Sequence, residues 1–238
     1  MENVDVLAIA AHPDDIELTC AGTLIKAVHQ GYSVGILDLT LGEMGTRGTP
    51  EIRAREAEAA GKVIGAKFRE NMNLGDAKLT ASIENRMAVA EKIRQARPRT
   101  VILHYWEARH PDHAASTQLA YDACYAAGLK QLPIQGQPFR PKKILYASMD
   151  SEVRPTFVVD ISKVFAKKLE AIHCFGSQFS GNVEEIAEIF PAWARLIDRV
   201  TTQCRYYGHL TGVEYAEPFV VKEILSIDDI MTMPVASI

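Results

Sequence analysis

Short apolar runs alternate with helical stretches four times in the first 130 residues of this 238-residue chain, and that alternation constrains the fold more than any other feature. Residues 4–10, 34–39, 68–74 and 101–105 are too short for helices and suit strands buried on both faces. Between them lie helical segments with legible ends. One covers 16–30 and closes at Gly31. The next opens at Thr49-Pro50 and runs to about Gly65. A third covers 82–96 before Pro98, and a fourth covers 113–127 before Gly128. Strand–helix alternation of this kind requires a mostly parallel sheet with helices on both faces, a Rossmann-like three-layer α/β fold. The second half reads differently. A proline-containing linker at 136–141 precedes strands at 144–149 and 156–160, a helix at 162–175, one or two helices within 183–206, and a last strand at 219–224. No repeat or composition break divides the chain. A single domain over 1–238 is expected, its 1–130 half Rossmann-like and its 140–238 half completing the site and offering an interface.

Composition narrows the function. Hydrophobic residues make up 47% and charged residues 24%, which excludes disorder for the bulk of the chain. The formal net charge of -4, from 26 basic and 30 acidic side chains, argues against a nucleic-acid partner. There is no apolar run of roughly 18 residues, so no membrane span is expected. The N-terminus lacks the order of a signal peptide, which predicts a cytoplasmic protein. The four cysteines, Cys20, Cys124, Cys174 and Cys204, form no Cys-x-x-Cys pair and read as free thiols; Cys20 is notable for its place shortly after the first polar cluster.

Open parallel sheets bind ligands beyond the carboxyl ends of their strands. Two unusual clusters fall there. Ala11-His12-Pro13-Asp14-Asp15 follows the first strand, and His110-Pro111-Asp112-His113 follows the fourth. Either alone is explained by helix capping, since aspartate caps helices everywhere. The same tripeptide at two strand ends is a different matter. Two histidines and one aspartate meet the ligand count of a catalytic zinc with an open corner, and a neighbouring carboxylate can take a proton from its water. The residues alone do not decide which aspartate would bind.

These two motifs, in this order and about a hundred residues apart, resemble the PIG-L/LmbE-like zinc-dependent N-deacetylases. The resemblance extends to residues 208–217. It is most pronounced, over residues 31–40 and 107–113, toward the branch that deacetylates N-acetylglucosaminyl-malate in bacillithiol biosynthesis. It implies one Zn2+ per subunit on His12, Asp15 and His113, Asp14 as general base, His110 as the group that polarises the amide carbonyl, and Asp112 as a partner orienting a histidine. It implies an N-acetylated amino-sugar substrate and a homo-oligomer, a hexamer among the forms expected. Malate carboxylates would suit guanidinium groups, for which Arg53, Arg109 and Arg140 are the candidates, with Arg47 a fourth. The loop from Gly42 to Gly48 is closer to the wider family, which includes general N-acetylglucosaminide, chitobiose and mycothiol-type deacetylases. Trp193 falls where an active-site tyrosine would be expected.

Three rivals remain at this level. Clustered aspartates can hold Mg2+ for phosphoryl transfer, but two histidines favour zinc. A non-catalytic nucleotide-binding module would need a glycine-rich phosphate cradle after the first strand, and none is present. A structural zinc site would be closed by four protein ligands, and the count here is three.

Overall fold

The computed structural model describes residues 2–148, 153–179, 195–233 and 235. The first part of the helical stretch expected over 183–206, including Trp193, lies outside them. The elements run β1 (Val6–Ala10), α1 (Asp15–Thr19), α2 (Ala21–His29), β2 (Val34–Asp38), α3 (Pro50–Ile64), β3 (Phe68–Asn71), α4 (Ile83–Ala96), β4 (Thr100–His104), α5 (Pro111–Ala126), β5 (Lys143–Ala147), β6 (Phe157–Asp160), α6 (Phe165–His173), α7 (Gly176–Phe179), α8 (Leu196–His209) and β7 (Ala216–Val220). Seven strands from both halves of the chain form one sheet in the order 3-2-1-4-5-7-6. β1 to β5 pair in parallel, whereas β7 runs antiparallel to both β5 and β6. The fold is thus mostly parallel, α/β and Rossmann-like, as the alternation requires.

Strand periodicity divides the core into two slabs. Ala8, Ala10, Ile36 and Ile102 face α2, α6 and α8, meeting Leu24, Ile25, Ile172 and Val200. Leu7, Ile9, Leu37, Val101 and Leu103 face α4 and α5, meeting Val89, Ile93, Leu119 and Ala123. Each fully buried aliphatic side chain contributes about 1.5–3 kcal/mol, so these slabs supply the bulk of the driving force. Capping fixes the helix starts. Thr49 accepts from the Ile52 amide ahead of Pro50, and Ser82 accepts from Asn85.

Two expectations need correcting. The single helix over 16–30 is broken at Cys20, whose backbone leaves helical geometry (φ -141°, ψ 12°). The last strand is Ala216–Val220 rather than 219–224. One residue links both departures. Glu217, buried in β7, places its carboxylate on the amides of Gly22 and Thr23 at the start of α2. A helix N-terminus with a dedicated anionic cap can begin afresh after Cys20.

Candidate active site

β1 and β4 are neighbours, yet the chain leaves them toward opposite faces of the sheet. β1 leads to α1, which packs on the α2–α6 side, and β4 leads to α5 on the other. Such a reversal opens a crevice at the carboxyl ends of the two strands. Both His-Pro-Asp turns emerge there, flanking it.

The first turn is strained. Asp14 has φ 117° and ψ -26°, in the left-handed region where a side chain is costly. Arg53, buried on α3, holds it from behind. Its Nη2 lies 3.0 Å from Asp14 Oδ2 and donates to the Pro13 carbonyl, and its Nη1 donates to the Gly42 carbonyl at 3.1 Å. Gly42 (φ +66°) must be glycine, because a Cβ there would lie 2.0 Å from that Nη1. Burial pushes the Asp14 carboxyl up to about 7 against the opposing pull of Arg53. Asp15 behaves in the opposite way. Burial alone would raise it, but the charges of His113 and His104 and their hydrogen bonds hold it well below the ordinary carboxylate range.

The second turn is ordered by its own cap. The amide of Asp112 donates to His110 Nδ1 at 3.1 Å, and Pro111 occupies the first helical position of α5. The turn brings the rings together. His12 and His110 meet edge to face at 4.8 Å between centroids, and His110 and His113 stack at 5.0 Å. Asp15 Oδ2 lies 3.4 Å from His12 Nδ1, and Asp15 Oδ1 lies 3.1 Å from His113 Nε2. Burial, together with the charges of His12 and His113, lowers the pKa of His110. His12 is raised to about 11, since its contacts with Asp15 and Asp76 outweigh burial.

His12, Asp15, His110, Asp112 and His113 therefore meet in one place, with Asp14 on the same turn. A tetrahedral ion bound at zinc-like distances separates its ligand atoms by about 3.4 Å. His12 Nδ1 lies about that far from Asp15 Oδ2, and His113 Nε2 from Asp15 Oδ1, so the two imidazoles meet the two oxygens of one carboxylate, a nitrogen and oxygen donor set of the kind zinc takes. Among the described residues, three groups place their ligand atoms within 4.8 Å of one another: His12 with His110 and His113, Asp15 with His104 and His113, and His12 with Asp76 and Asp112.

Two members were not picked out from the sequence. Asp76, in the β3–α4 loop, lies 3.0 Å from His12 Nε2 and accepts from the Met44 amide. His12 holds its carboxyl well below the ordinary range. His104, the last residue of β4, lies 3.1 Å from Asp15 Oδ2. A lone aspartate in a Gly-Asp turn and a lone histidine ending an apolar strand carry no spacing signal. Asp112 accepts from the Ala77 amide at 2.7 Å and lies 3.5 Å from His12 Nε2.

The nominated arginines separate. Arg109 is exposed on the β4–α5 loop beside the histidines. Arg53 is beside the site but buried, with its guanidinium engaged by the chain itself. Arg140 requires correction. It stacks on the Tyr125 ring and donates to the Tyr125 carbonyl, fifteen residues along from His110. At 1.5 Å rise per residue that is roughly 20 Å away, at the opposite end of the sheet. Arg47 gives its carbonyl to Gln178 of α7. Cys20 is fully buried and its thiol pKa is pushed up by burial, so it is no nucleophile.

Comparison with known proteins agrees with this geometry. The family model described as GlcNAc-PI de-N-acetylase, PIG-L, matches residues 7–124, which span both turns. The chain is 31% identical to the diacetylchitobiose deacetylase of Thermococcus kodakarensis, over 89% of this chain and 80% of that one. It is 29% identical to the probable N-acetyl-alpha-D-glucosaminyl L-malate deacetylase 2 of Bacillus anthracis, over 76% of this chain and 84% of that one. Its structure superposes on a conserved protein of Thermus thermophilus with a TM-score of 0.85 at 38% identity, covering 94% of this chain and 98% of that one. With the paired turns, the parallel sheet and these relatives in agreement, the chain belongs to the PIG-L family of N-deacetylases.

Proposed function

We propose that this N-deacetylase hydrolyses the acetamido group of an N-acetylglucosamine conjugate, releasing acetate and a free amine. The observation that carries the reading is the meeting of His12, Asp15 and His113 with Asp14 and His110 at the β1–β4 crevice. His12, Asp15 and His113 would hold a zinc ion, the mixed nitrogen and oxygen set disfavouring magnesium. Bound there, zinc would supply Lewis acidity, lowering the pKa of a water and polarising the acetyl carbonyl. Asp76 and Asp112 face His12 Nε2 and orient the ring, while Nδ1 faces Asp15.

Asp14 takes the proton of the attacking water and returns it to the amine nitrogen as the C–N bond breaks. Arg53 and the left-handed backbone set the position of that carboxylate. His110 serves the carbonyl oxygen. Its Nδ1 already accepts the Asp112 amide, so the neutral ring carries its proton on Nε2 and donates it to the developing oxyanion. Asp112 orients His12 and, through the Ala77 amide, ties the β3–α4 loop to α5.

For the aglycone, the malate conjugate of bacillithiol biosynthesis is the first reading, with Arg109 as the partner of its carboxylates. A chitobiose-type neutral sugar is the second, favoured by the higher identity and wider coverage of the diacetylchitobiose deacetylase. An amine-release assay on N-acetylglucosaminyl-malate, N-acetylglucosaminyl-inositol, diacetylchitobiose and N-acetylglucosamine tests both. Amine release is expected to vanish on chelation and return with zinc. R109A is expected to impair the malate conjugate far more than the neutral sugars; equal losses across the panel would remove the case for malate. Absence of release from every member, with zinc bound, would overturn the deacetylation itself.

A further inference from the structure

We propose that His104 is a positioning residue for Asp15: it donates a hydrogen bond that orients the carboxylate and is not itself a metal ligand. This rests on the zinc reading above. His104 is buried at the end of β4. Two imidazoles contact the two oxygens of one carboxylate. His104 Nε2 lies 3.1 Å from Oδ2, and His113 Nε2 lies 3.1 Å from Oδ1. The Ala11 amide also approaches His104 Nε2, but at 3.5 Å, and the nearer ionised carboxylate can only accept, which sets the ring proton on Nε2.

Geometry decides between them. The lone pair of an imidazole nitrogen lies in the ring plane, so a well-bound ion lies in that plane too. The rings of His104 and His113 are stacked at 4.3 Å with only 4° between their planes. Parallel planes share no point, so one ion cannot lie in both. His113 meets the rings of His12 and His110, where the remaining donors converge, whereas His104 stacks on His113. His113 is therefore the ligand and His104 the supporting partner.

The carboxylate is divided accordingly. Oδ2 receives the backbone N–H of His12 at 2.8 Å as well as His104, which leaves Oδ1, beside His113, for the ion. Thr117 Oγ1 lies within hydrogen-bond reach of the carbonyls of both His104 and His113, so strand end and helix move together. Groups that hold a liganding carboxylate or imidazole in place commonly change metal affinity by about 10–100-fold when removed.

The test compares H104F, which keeps a stacked ring but no donor, with H104Q, which keeps an N–H donor. The readouts are zinc affinity by chelator competition, the visible spectrum of the Co2+-substituted protein, and the melting temperature of the metal-free forms. H104F is expected to bind zinc about 10–100-fold more weakly than wild type. H104Q should recover most of that loss, and the Co2+ spectrum should be unchanged in both, because no ligand is lost. Wild-type affinity in H104F would overturn the positioning role. A Co2+ spectrum altered as for a lost imidazole would overturn the claim that His104 is not a ligand. Should H104F fail to fold, H104Q alone decides by its spectrum. Failure of the underlying zinc reading looks different: wild type and D15N would then be equally unable to bind zinc.

Discussion

Arg53 has the burial of a core residue and the partners of a catalytic one. Its guanidinium meets the Asp14 carboxylate and the carbonyls of Pro13 and Gly42, so it braces the strained turn from inside the protein. R53M would leave a buried carboxylate without its countercharge. A loss of about 3 kcal/mol in denaturant unfolding is expected, together with reduced turnover on every substrate alike. Selective impairment of acidic substrates would instead make Arg53 a substrate contact. D14N should lower kcat by about 10²–10⁴-fold and H110A by about 10²–10³-fold, both with zinc content intact. Metal loss in either would move that residue into the ligand set. At this scale the paired turns were legible because the same tripeptide recurs at two strand ends, and coincidence explains one such cluster far better than two. His104 and Asp76 were not, because each is a single residue whose meaning comes only from what the sheet brings beside it. Arg140 misled for the complementary reason: a cation's chemistry does not say which end of a strand it will occupy.

The strands are joined at their entry ends by side chains as well as by ladders. Asp5 Oδ2, just before β1, accepts the Ser33 amide at 2.9 Å and the Ser33 hydroxyl at 2.8 Å, just before β2. Those bonds, the amide first, hold the Asp5 carboxyl below its ordinary value. A carboxylate whose folded pKa is depressed contributes stability above its unfolded pKa and loses it as pH falls through the folded value. D5A should therefore be less stable than wild type by about 1 kcal/mol at pH 7. The difference should shrink once the pH drops below about 4, as the wild-type carboxyl becomes protonated. Thermal melts from pH 7 to pH 2 read this directly, and a constant difference would contradict it. Elements with purely local signals were legible: apolar runs, Thr49 and Ser82 caps, glycines at helix ends. The break at Cys20 and the position of β7 were not. Residues 215–218, Tyr-Ala-Glu-Pro, contain a charge and a proline that argue against a strand in isolation. The charge is accommodated because α2 begins where it points and the Lys168 ammonium meets it.

That contact ties the two halves of the molecule together. Lys168 of α6 and Glu217 of β7 are both 0% exposed, with Nζ and Oε1 2.6 Å apart. Lys168 also donates to the Leu18 carbonyl in α1, while Glu217 accepts from the amides of Gly22 and Thr23 and from the Thr23 hydroxyl. Elements from both ends of the chain thus converge on the junction between α1 and α2 at Cys20, five residues beyond Asp15. Burying two charges is costly, and the pair is tolerable only because nearly every donor and acceptor is matched. Removing one partner exposes the full cost. K168M should lose about 3–5 kcal/mol, because it leaves a carboxylate buried without a cation. Adding E217Q should recover part of that loss: a neutral amide needs no counterion, and its oxygen still caps α2. Recovery should be incomplete, since one amide oxygen cannot serve the three donors that two carboxylate oxygens accept, and an unmatched buried donor costs about 1–3 kcal/mol. Chemical denaturation of the two single variants and the double variant measures each step. If K168M/E217Q were no more stable than K168M, the dominant role of the lone buried charge would be wrong, and the cost would lie in packing around the lysine stem.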